Sequence, residues 1–258
     1  MSLLHGMSCI RDEPPGGMEQ PHTGGILWQM SVILSTSGTV HLLTVDDGHR
    51  NTITVEVTHE MVDALRSAQD HAQALVLAGR PGFYSEGLDQ EVFRAGGQPA
   101  SDLLHGATEL ILRLVEFPRP VVTACTGTAV GAASICLLAC DYRIGAAGNY
   151  KIGMDYVAVG MEVPELAIEL ARSRLSPRHM TLACNTAQLY SPGEAVEAGF
   201  LDTVTTGDPV AQACKVAEDL AERVDIQAFE ATRSITCRGF ADAIIRSAGD
   251  LWRMQRDS

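Results

Sequence analysis

Residues 126–141, TGTAVGAASICLLACD, decide the fold. A β-branched run, residues 120–125 (PVVTAC), precedes this stretch, which begins with small residues including Gly127 and Gly131 and continues as an apolar segment. The pattern predicts a strand, a glycine-bearing turn and a helix whose first N–H groups lack a backbone acceptor. The positive end of the helix dipole lies behind those groups, and small side chains admit a ligand close to the backbone. Two interpretations stay open: a tightly packed strand–turn–helix, or a site for an oxygen that becomes negative during a reaction.

The chain around this stretch alternates between strand and helix patterns. Residues 31–36 (SVILST) and 40–45 (VHLLTV) predict a β-hairpin, and residues 57–68 carry apolar side chains at helical spacing. Residues 74–78 (ALVLA) form a continuous apolar run, which is typical of a strand buried on both faces. After about residue 160 the start signals are those of helices, and the last of these is expected from residue 227 toward residue 256. This order predicts an α/β protein.

Other segments are predicted to be loops. Residues 49–51 (HRN) should form an exposed loop after the hairpin. Residues 83–92 (FYSEGLDQEV) place Gly87 where a loop meets a helix, and a Gly/Pro/Gln loop to Pro99 should end where Ser101 starts the next helix.

Composition excludes several classes of function. The 258 residues are 46% hydrophobic and 20% charged, as in an ordinary globular protein with a sizeable core. A net charge of −13 argues against nucleic acid as a partner. Because Lys151 and Lys215 are the only lysines in the sequence, a site that binds anions must use arginine. The seven cysteines include no CxxC pair and no zinc-like spacing with histidine, so we expect reduced thiols, a cytoplasmic location and no metal.

The amino-terminal segment does not match the globular pattern. Residues 1–28 are rich in Gly, Pro, Met and His without periodicity, and we expect a disordered leader. They lack the basic and apolar regions of a secretory signal. No run reaches the ~18 apolar residues of a membrane span, so we expect a soluble protein with no membrane partner.

Four stretches together resemble the enoyl-CoA hydratase/isomerase (crotonase) family. AGRPGFYSEGLDQEVF resembles the family's loop of glycine, aromatic and small residues that ends in Ala-Gly-x-Asp. The family's strand, glycine-rich turn and helix are resembled by PRPVVTACTGTAVGAASICLLACDYRIG. The segment with the family's second catalytic position is resembled by YKIGMDYVAVGM, and a later family segment by SPGEAVEAGFLDTV. Order and spacing agree over roughly residues 30–224, and the isomerase-like branch is the nearest. The resemblance favours the reactive-oxygen interpretation of residues 126–141.

The resemblance implies a fold, a ligand and an assembly. The expected fold is an α/β, crotonase-like spiral of ββα units over residues 29–200, with a helical region at residues 201–258 that assembles homotrimers or hexamers. The expected ligand is an acyl-CoA thioester, so coenzyme A enters as part of the substrate and no cofactor is permanently bound. The family's oxyanion hole consists of two backbone N–H groups, which correspond here to Leu88 and Ala132. An N–H donor depends on backbone placement, so either side chain is compatible with the role.

Both acid/base positions depart from the family pattern. Hydratases carry two glutamates, and the matching positions here hold Ile135 and Tyr156. Hydration needs one group to activate water and another to protonate carbon, so ordinary hydration is not expected. Tyr156 is a candidate proton donor or a packed aromatic side chain. Asp155 and Glu162 are weaker candidates for a base. Asp155 is next to Tyr156, and neighbours in an extended segment point to opposite faces. Glu162 lies near a helix start, where a glutamate is often solvated.

Two arginines are candidates for holding the CoA phosphates. Arg50 and Arg80 lie in loops that the family places near the adenine and phosphates, although both could equally be exposed loop residues. Glu86 stands before Gly87, where the family usually has a small residue, and either narrows the pocket or faces solvent.

Two functional hypotheses follow. In the first, the chain is an enzyme that stabilises a thioester enolate, as an isomerase or as a lyase that needs no base, such as a decarboxylase of malonyl-type thioesters. In the second, it is a catalytically silent acyl-CoA-binding or assembly subunit.

Overall fold

The computed structural model describes residues 31–240. Its strands are β1 Val32–Ser37, β2 Val40–Val45, β3 Ala74–Gly79, β4 Gly82–Ser85, β5 Val121–Cys125, β6 Gly127–Val130, β7 Tyr142–Ala146, β8 Ile152–Gly153 and β9 Thr203–Thr205. Its α-helices are α1 Val55–Gln69, α2 Gln90–Ala95, α3 Gly97–Val115, α4 Ala132–Ala139, α5 Glu165–Arg174, α6 Pro177–Asn185, α7 Pro192–Ala198, α8 Pro209–Arg223 and α9 Ile226–Thr236. A short 3₁₀ turn, Tyr156–Val159, lies between β8 and α5.

The strands form two sheets that the chain visits alternately. The larger has the order β1-β2-β3-β5-β7-β9, with β1 and β2 as the predicted antiparallel hairpin and all other neighbours parallel. The smaller is parallel, with the order β4-β6-β8. Helices follow each pair β3–β4, β5–β6 and β7–β8, so the chain winds through successive ββα turns. The predicted α/β spiral is therefore confirmed.

The core explains why the central strands are continuously apolar. Every residue of β3 and β5 is buried, because helices cover both faces of the larger sheet. The residues of α1, α3 and α4 share one core cluster, whereas Ala213 and Ala217 of α8 pack on the opposite face. Both β9 and α8 follow residue 200, and the predicted boundary there stays a prediction.

Two predicted boundaries were wrong. Residues 127–130 form the strand β6 and are not part of the turn. Gly127 allows the backbone of β6 to lie close to that of β4, because a Cβ at residue 127 would overlap the Gly82 carbonyl. The helix predicted to start at Ser101 begins at Gly97, since Pro99 fits a first turn whose N–H groups have no helical acceptor. The predicted leader, residues 1–28, and the final helix beyond residue 240 lie outside the described residues.

Candidate active site

Gly131 forms the turn between β6 and α4. Its backbone has φ 56° and ψ −128°, which residues with a side chain rarely adopt. The Gly131 N–H donates to the Gly153 carbonyl (3.1 Å), and the Ser134 hydroxyl donates to the Gly131 carbonyl (2.8 Å). The helix starts at Ala132, whose N–H has no acceptor within residues 31–240. One predicted donor is therefore present and unpaired at this turn.

Leu88 lies on the loop that follows β4. The Gly87 N–H donates to Ser85 Oγ (3.0 Å), and the Gly87 carbonyl accepts a hydrogen bond from the Ile53 N–H (2.8 Å). The Asp89 N–H in turn donates to the Ile53 carbonyl (3.0 Å). The residues on both sides of Leu88 are fixed by these hydrogen bonds, whereas the Leu88 N–H donates to no acceptor in the described part of the chain.

The two loops meet at Gly87. This residue has φ 84°, and a Cβ placed on it would lie 2.8 Å from the Val130 carbonyl oxygen and 3.3 Å from the Ala132 nitrogen. Only glycine allows this backbone conformation and this close approach together. The structure therefore brings the backbone around Leu88 against the start of α4, as two donors to one oxygen require.

The floor beneath this turn is closely packed. A cavity of about 20 Å³, room for about one water molecule, lies between α4 and its neighbours. Its lining is mostly apolar and comprises Val45, Asn51, Ile53, Val57, Met61, Leu77, Ala78, Tyr84, Ser85, Ala133 and Cys136. An apolar surrounding of low dielectric constant strengthens hydrogen bonds from the N–H groups at its edge.

The two positions that resemble the family's glutamates are buried. Ile135 is 2% exposed within α4. Tyr156 is 4% exposed, and desolvation, with smaller effects from Cys136 and Asp155, raises the pKa of its hydroxyl. The hydroxyl therefore stays protonated, so it can donate a hydrogen bond but is a poor base. The expectation of an extended segment here was wrong, because Tyr156 begins the 3₁₀ turn.

Asp155 faces the turn at the start of α4. Its Oδ1 lies 3.2 Å from the position that a Cβ on Gly131 would occupy. The side chain is half-buried, and this desolvation raises the pKa of its carboxyl. Glu162, the other candidate, is exposed and borders a surface hollow together with Gly160. Of the two carboxylates, the structure places Asp155 beside Gly131.

Both candidate arginines are engaged by carboxylates. Arg50 forms a salt bridge with Glu86 (2.8 Å), and this pair accounts for the orientation of Glu86, which the sequence left open. Arg80 lies 3.4 Å from a carboxylate oxygen of Asp46 and donates to the His49 carbonyl (2.5 Å). The two guanidinium groups therefore lie along one loop, and a phosphate would compete with these acidic partners for them.

Asn51 is a site residue that sequence reasoning missed. Residues 49–51 were predicted to be exposed, but Asn51 is 0% exposed and has φ 52°. Its amide donates to the carbonyls of Val45 (2.7 Å) and Tyr84 (3.2 Å). The signal was the Asp-Asp-Gly turn before it, since asparagine tolerates the left-handed conformation that such turns require. Asn51 joins the ends of β2 and β4 and so supports the loop that carries Leu88.

Two features are absent from the described residues 31–240. No three His, Cys, Asp or Glu side chains are grouped there so as to hold a metal ion. No helix in the same range is long and apolar enough to cross a membrane.

Comparison with known proteins agrees with this architecture. A family model described as enoyl-CoA hydratase/isomerase matches residues 35–245. The mitochondrial enoyl-CoA delta isomerase 1 of Rattus norvegicus is 24% identical over 201 residues, which cover 76% of this chain and 70% of the rat protein.

Solved structures extend the likeness to three dimensions. An enoyl-CoA hydratase/isomerase family protein from Pseudomonas syringae superposes with a TM-score of 0.82 at 29% identity, covering 85% of this chain and 96% of its own. An enoyl-CoA hydratase from Mycobacterium ulcerans superposes with a TM-score of 0.80 at 31% identity, covering 84% and 96%.

Proposed function

Because the chain belongs to the enoyl-CoA hydratase/isomerase family, we propose that it binds an acyl-CoA thioester and stabilises the enolate of that thioester. The donors are the N–H groups of Leu88 and Ala132. The observation that carries the proposal is the contact between the Gly87 loop and the start of α4, with both N–H groups unpaired within the described residues.

The chemistry follows from where charge develops. When a proton or a carboxyl group leaves the carbon next to the thioester carbonyl, its electron pair moves toward the carbonyl oxygen. Two fixed N–H donors stabilise that oxygen more as its negative charge grows, and each typically contributes about 3–4 kcal/mol to the transition state. The positive end of α4 adds to the same effect.

The side chains favour an isomerase or a lyase over a hydratase. Adding water across a double bond needs a group that activates the water and a second that protonates carbon. Ile135 can do neither, and the Tyr156 hydroxyl is held in its protonated form. Moving a double bond, or breaking a carbon–carbon bond, can proceed with fewer proton-transfer groups. The name of the rat relative, an enoyl-CoA delta isomerase, supports the isomerase type.

A test of enolate formation does not depend on knowing the reaction. The protein is incubated with butyryl-CoA in heavy water, and deuterium at the carbon next to the thioester is measured by mass spectrometry. We expect protein-dependent incorporation at that carbon. A panel of 2-enoyl, 3-enoyl and malonyl-type CoA esters then identifies the reaction. Absence of both exchange and turnover would overturn the proposal.

The buried side chains at Ile135 and Tyr156 favour a second candidate, a catalytically silent acyl-CoA-binding or assembly subunit. Calorimetric titration with butyryl-CoA separates the two, because a silent subunit binds the ester without exchanging its protons. The trimeric or hexameric assembly, coenzyme A as part of the substrate, and the cytoplasmic location stay predictions.

A further inference from the structure

We infer that Asp155 is the proton-transfer group of this site and that the reaction it serves is the shift of a double bond in a 3-enoyl thioester. The inference rests on the proposed function, because it needs an enolate held by the N–H groups of Leu88 and Ala132. It assigns the proton to a residue one position before the one that matches the family's glutamate.

The Asp155 carboxylate lies close to Gly131. Asp155 Oδ1 lies 3.2 Å from the Cβ position of Gly131. The Cβ–Cα bond of Gly131 would add ~1.5 Å, and the Gly131 Cα lies ~2.4 Å from the Ala132 nitrogen. The carboxylate oxygen is therefore at most ~7 Å from the Ala132 nitrogen. A thioester oxygen bound to that N–H lies ~2.9 Å from the nitrogen. The acyl carbons from C2 to C4 lie ~2.4–5 Å from that oxygen, a span comparable to the distance between the carboxylate and the Ala132 nitrogen.

Backbone hydrogen bonds hold the segment around Asp155 in place. β8 ends at Gly153, whose carbonyl accepts the Gly131 N–H (3.1 Å), and Gly153 pairs with Val130 of β6. The Asp155 carbonyl accepts the Val159 N–H (3.2 Å). The segment that carries the carboxylate is therefore tied directly to the turn that carries the Ala132 N–H.

The neighbouring side chains of Asp155 and Tyr156 have different surroundings. Asp155 has φ −97° and ψ 9°, which is not an extended conformation, so the alternation of side chains along a strand does not hold here. Tyr156 is consequently packed in the core next to Cys136, while Asp155 stays half-buried beside Gly131. The residue that matches the family's glutamate points into the core, and its neighbour takes the position beside the oxyanion turn.

The Asp155 carboxylate is available for proton transfer. No salt bridge joins it to any cation within residues 31–240, and burial is the largest influence on its pKa, which it raises. A carboxyl whose pKa is raised toward the working pH both accepts and returns a proton more readily.

The chemistry balances with one such group. The carboxylate removes a proton from C2 of the 3-enoyl thioester, and the C–H electron pair forms a dienolate whose negative oxygen the two N–H groups hold. The carboxylic acid then returns the proton to C4, the electron pair moves back from oxygen, and the double bond lies between C2 and C3. The carboxylate is regenerated and no co-reactant is consumed. The missing carboxylate at Ile135 therefore has no task in this reaction.

The test compares Asp155→Asn, which removes the ionisable carboxyl, with Tyr156→Phe, which removes the hydroxyl; each changes the side-chain volume little. Conversion of 3-hexenoyl-CoA is followed by mass spectrometry with chromatographic separation of the isomers, and deuterium exchange is measured as above. We expect Asp155→Asn to lower both rates at least 100-fold while it still binds butyryl-CoA, and Tyr156→Phe to change them less than threefold. Circular dichroism and thermal unfolding confirm that both variants fold.

The outcomes separate this inference from the proposed function. A wild-type protein that neither exchanges protons nor turns over any of the CoA esters defeats the proposed function itself. A wild-type protein that exchanges protons, with Asp155→Asn within threefold of it, overturns the assignment of Asp155 alone. A large loss in Tyr156→Phe with Asp155→Asn still active would assign the proton to the tyrosine instead.

Discussion

Replacing Gly87 with alanine should disable the proposed oxyanion hole without unfolding the protein. The new Cβ would lie 2.8 Å from the Val130 carbonyl oxygen and 3.3 Å from the Ala132 nitrogen, so the Leu88 loop and the start of α4 must move apart. A shift of a few tenths of an ångström misplaces one N–H donor. Loss of one such donor typically costs about 2.7–4 kcal/mol of transition-state stabilisation, which corresponds to a rate about 100 to 1,000 times lower.

Gly82→Ala is the matched control for this prediction. Gly82 has φ 88°, close to the 84° of Gly87, but a Cβ on Gly82 would meet no atom within 4 Å. Both substitutions therefore carry the same left-handed strain, about 1–2 kcal/mol of unfolding free energy. Only Gly87→Ala also forces the two loops apart.

The assay is deuterium exchange into butyryl-CoA, with urea unfolding of both variants as the measure of stability. We expect Gly82→Ala to exchange at close to the wild-type rate and Gly87→Ala at least 100 times more slowly. If the two variants exchange within threefold of each other, the contact between the loops does not set the geometry of the donors, and the assignment of the oxyanion hole is wrong.

Three further predictions concern the loop, the helices and the carboxylate. Glu86→Gln should release Arg50 from its exposed salt bridge and tighten the binding of butyryl-CoA, measured by calorimetry. The gain should be at most about fivefold, because exposed salt bridges contribute about 0.2–1 kcal/mol. Arg50→Gln should weaken the binding of butyryl-CoA. Gly106→Ala should lower the unfolding free energy by about 1–3 kcal/mol in urea titrations, because the new Cβ on α3 would overlap Thr58 Oγ1 on α1. Adding Thr58→Ala to this variant should restore part of the lost stability. Burial raises the pKa of the Asp155 carboxyl in the folded protein above its unfolded value of 3.8. The protonated carboxyl therefore contributes its full stability below pH 3.8, and this contribution is lost as the pH rises through the folded-state pKa. Asp155→Asn should therefore be more stable than wild type at pH 7, and equal stability of the two at pH 7 would contradict the burial.

The sequence predicted the elements whose signal is local. The hairpin of β1 and β2, the helix α1 and the buried strand β3 follow from periodicity and turn residues within each segment. The strand β6 was missed because four residues, GTAV, carry no period of their own, and its partners β4 and β8 are distant in the chain. Its glycine suggested a turn, whereas the structure uses it for close approach between strands.

The same distinction applies to the site. The Ala132 N–H could be predicted, because a helix start is defined by adjacent residues. The partner donor at Leu88 came from the family resemblance alone, since nothing local in residues 83–92 indicates that Gly87 contacts Val130. The burial of Asn51 was also missed, because its hydrogen-bond acceptors include Tyr84, which belongs to another strand.

The pair Asp155 and Tyr156 bears on how the substitution at the second acid/base position is interpreted. By resemblance, the tyrosine stands where the family has a glutamate, and this likeness alone suggests that the carboxylate is lost. The 3₁₀ turn that starts at Tyr156 directs the aromatic ring into the core and leaves Asp155 beside Gly131. We infer that the reaction requires a carboxylate near the proposed oxyanion donors, and that Asp155, the residue before the tyrosine, provides it. A substitution at an aligned position therefore argues for loss of activity only after the neighbouring side chains have been placed.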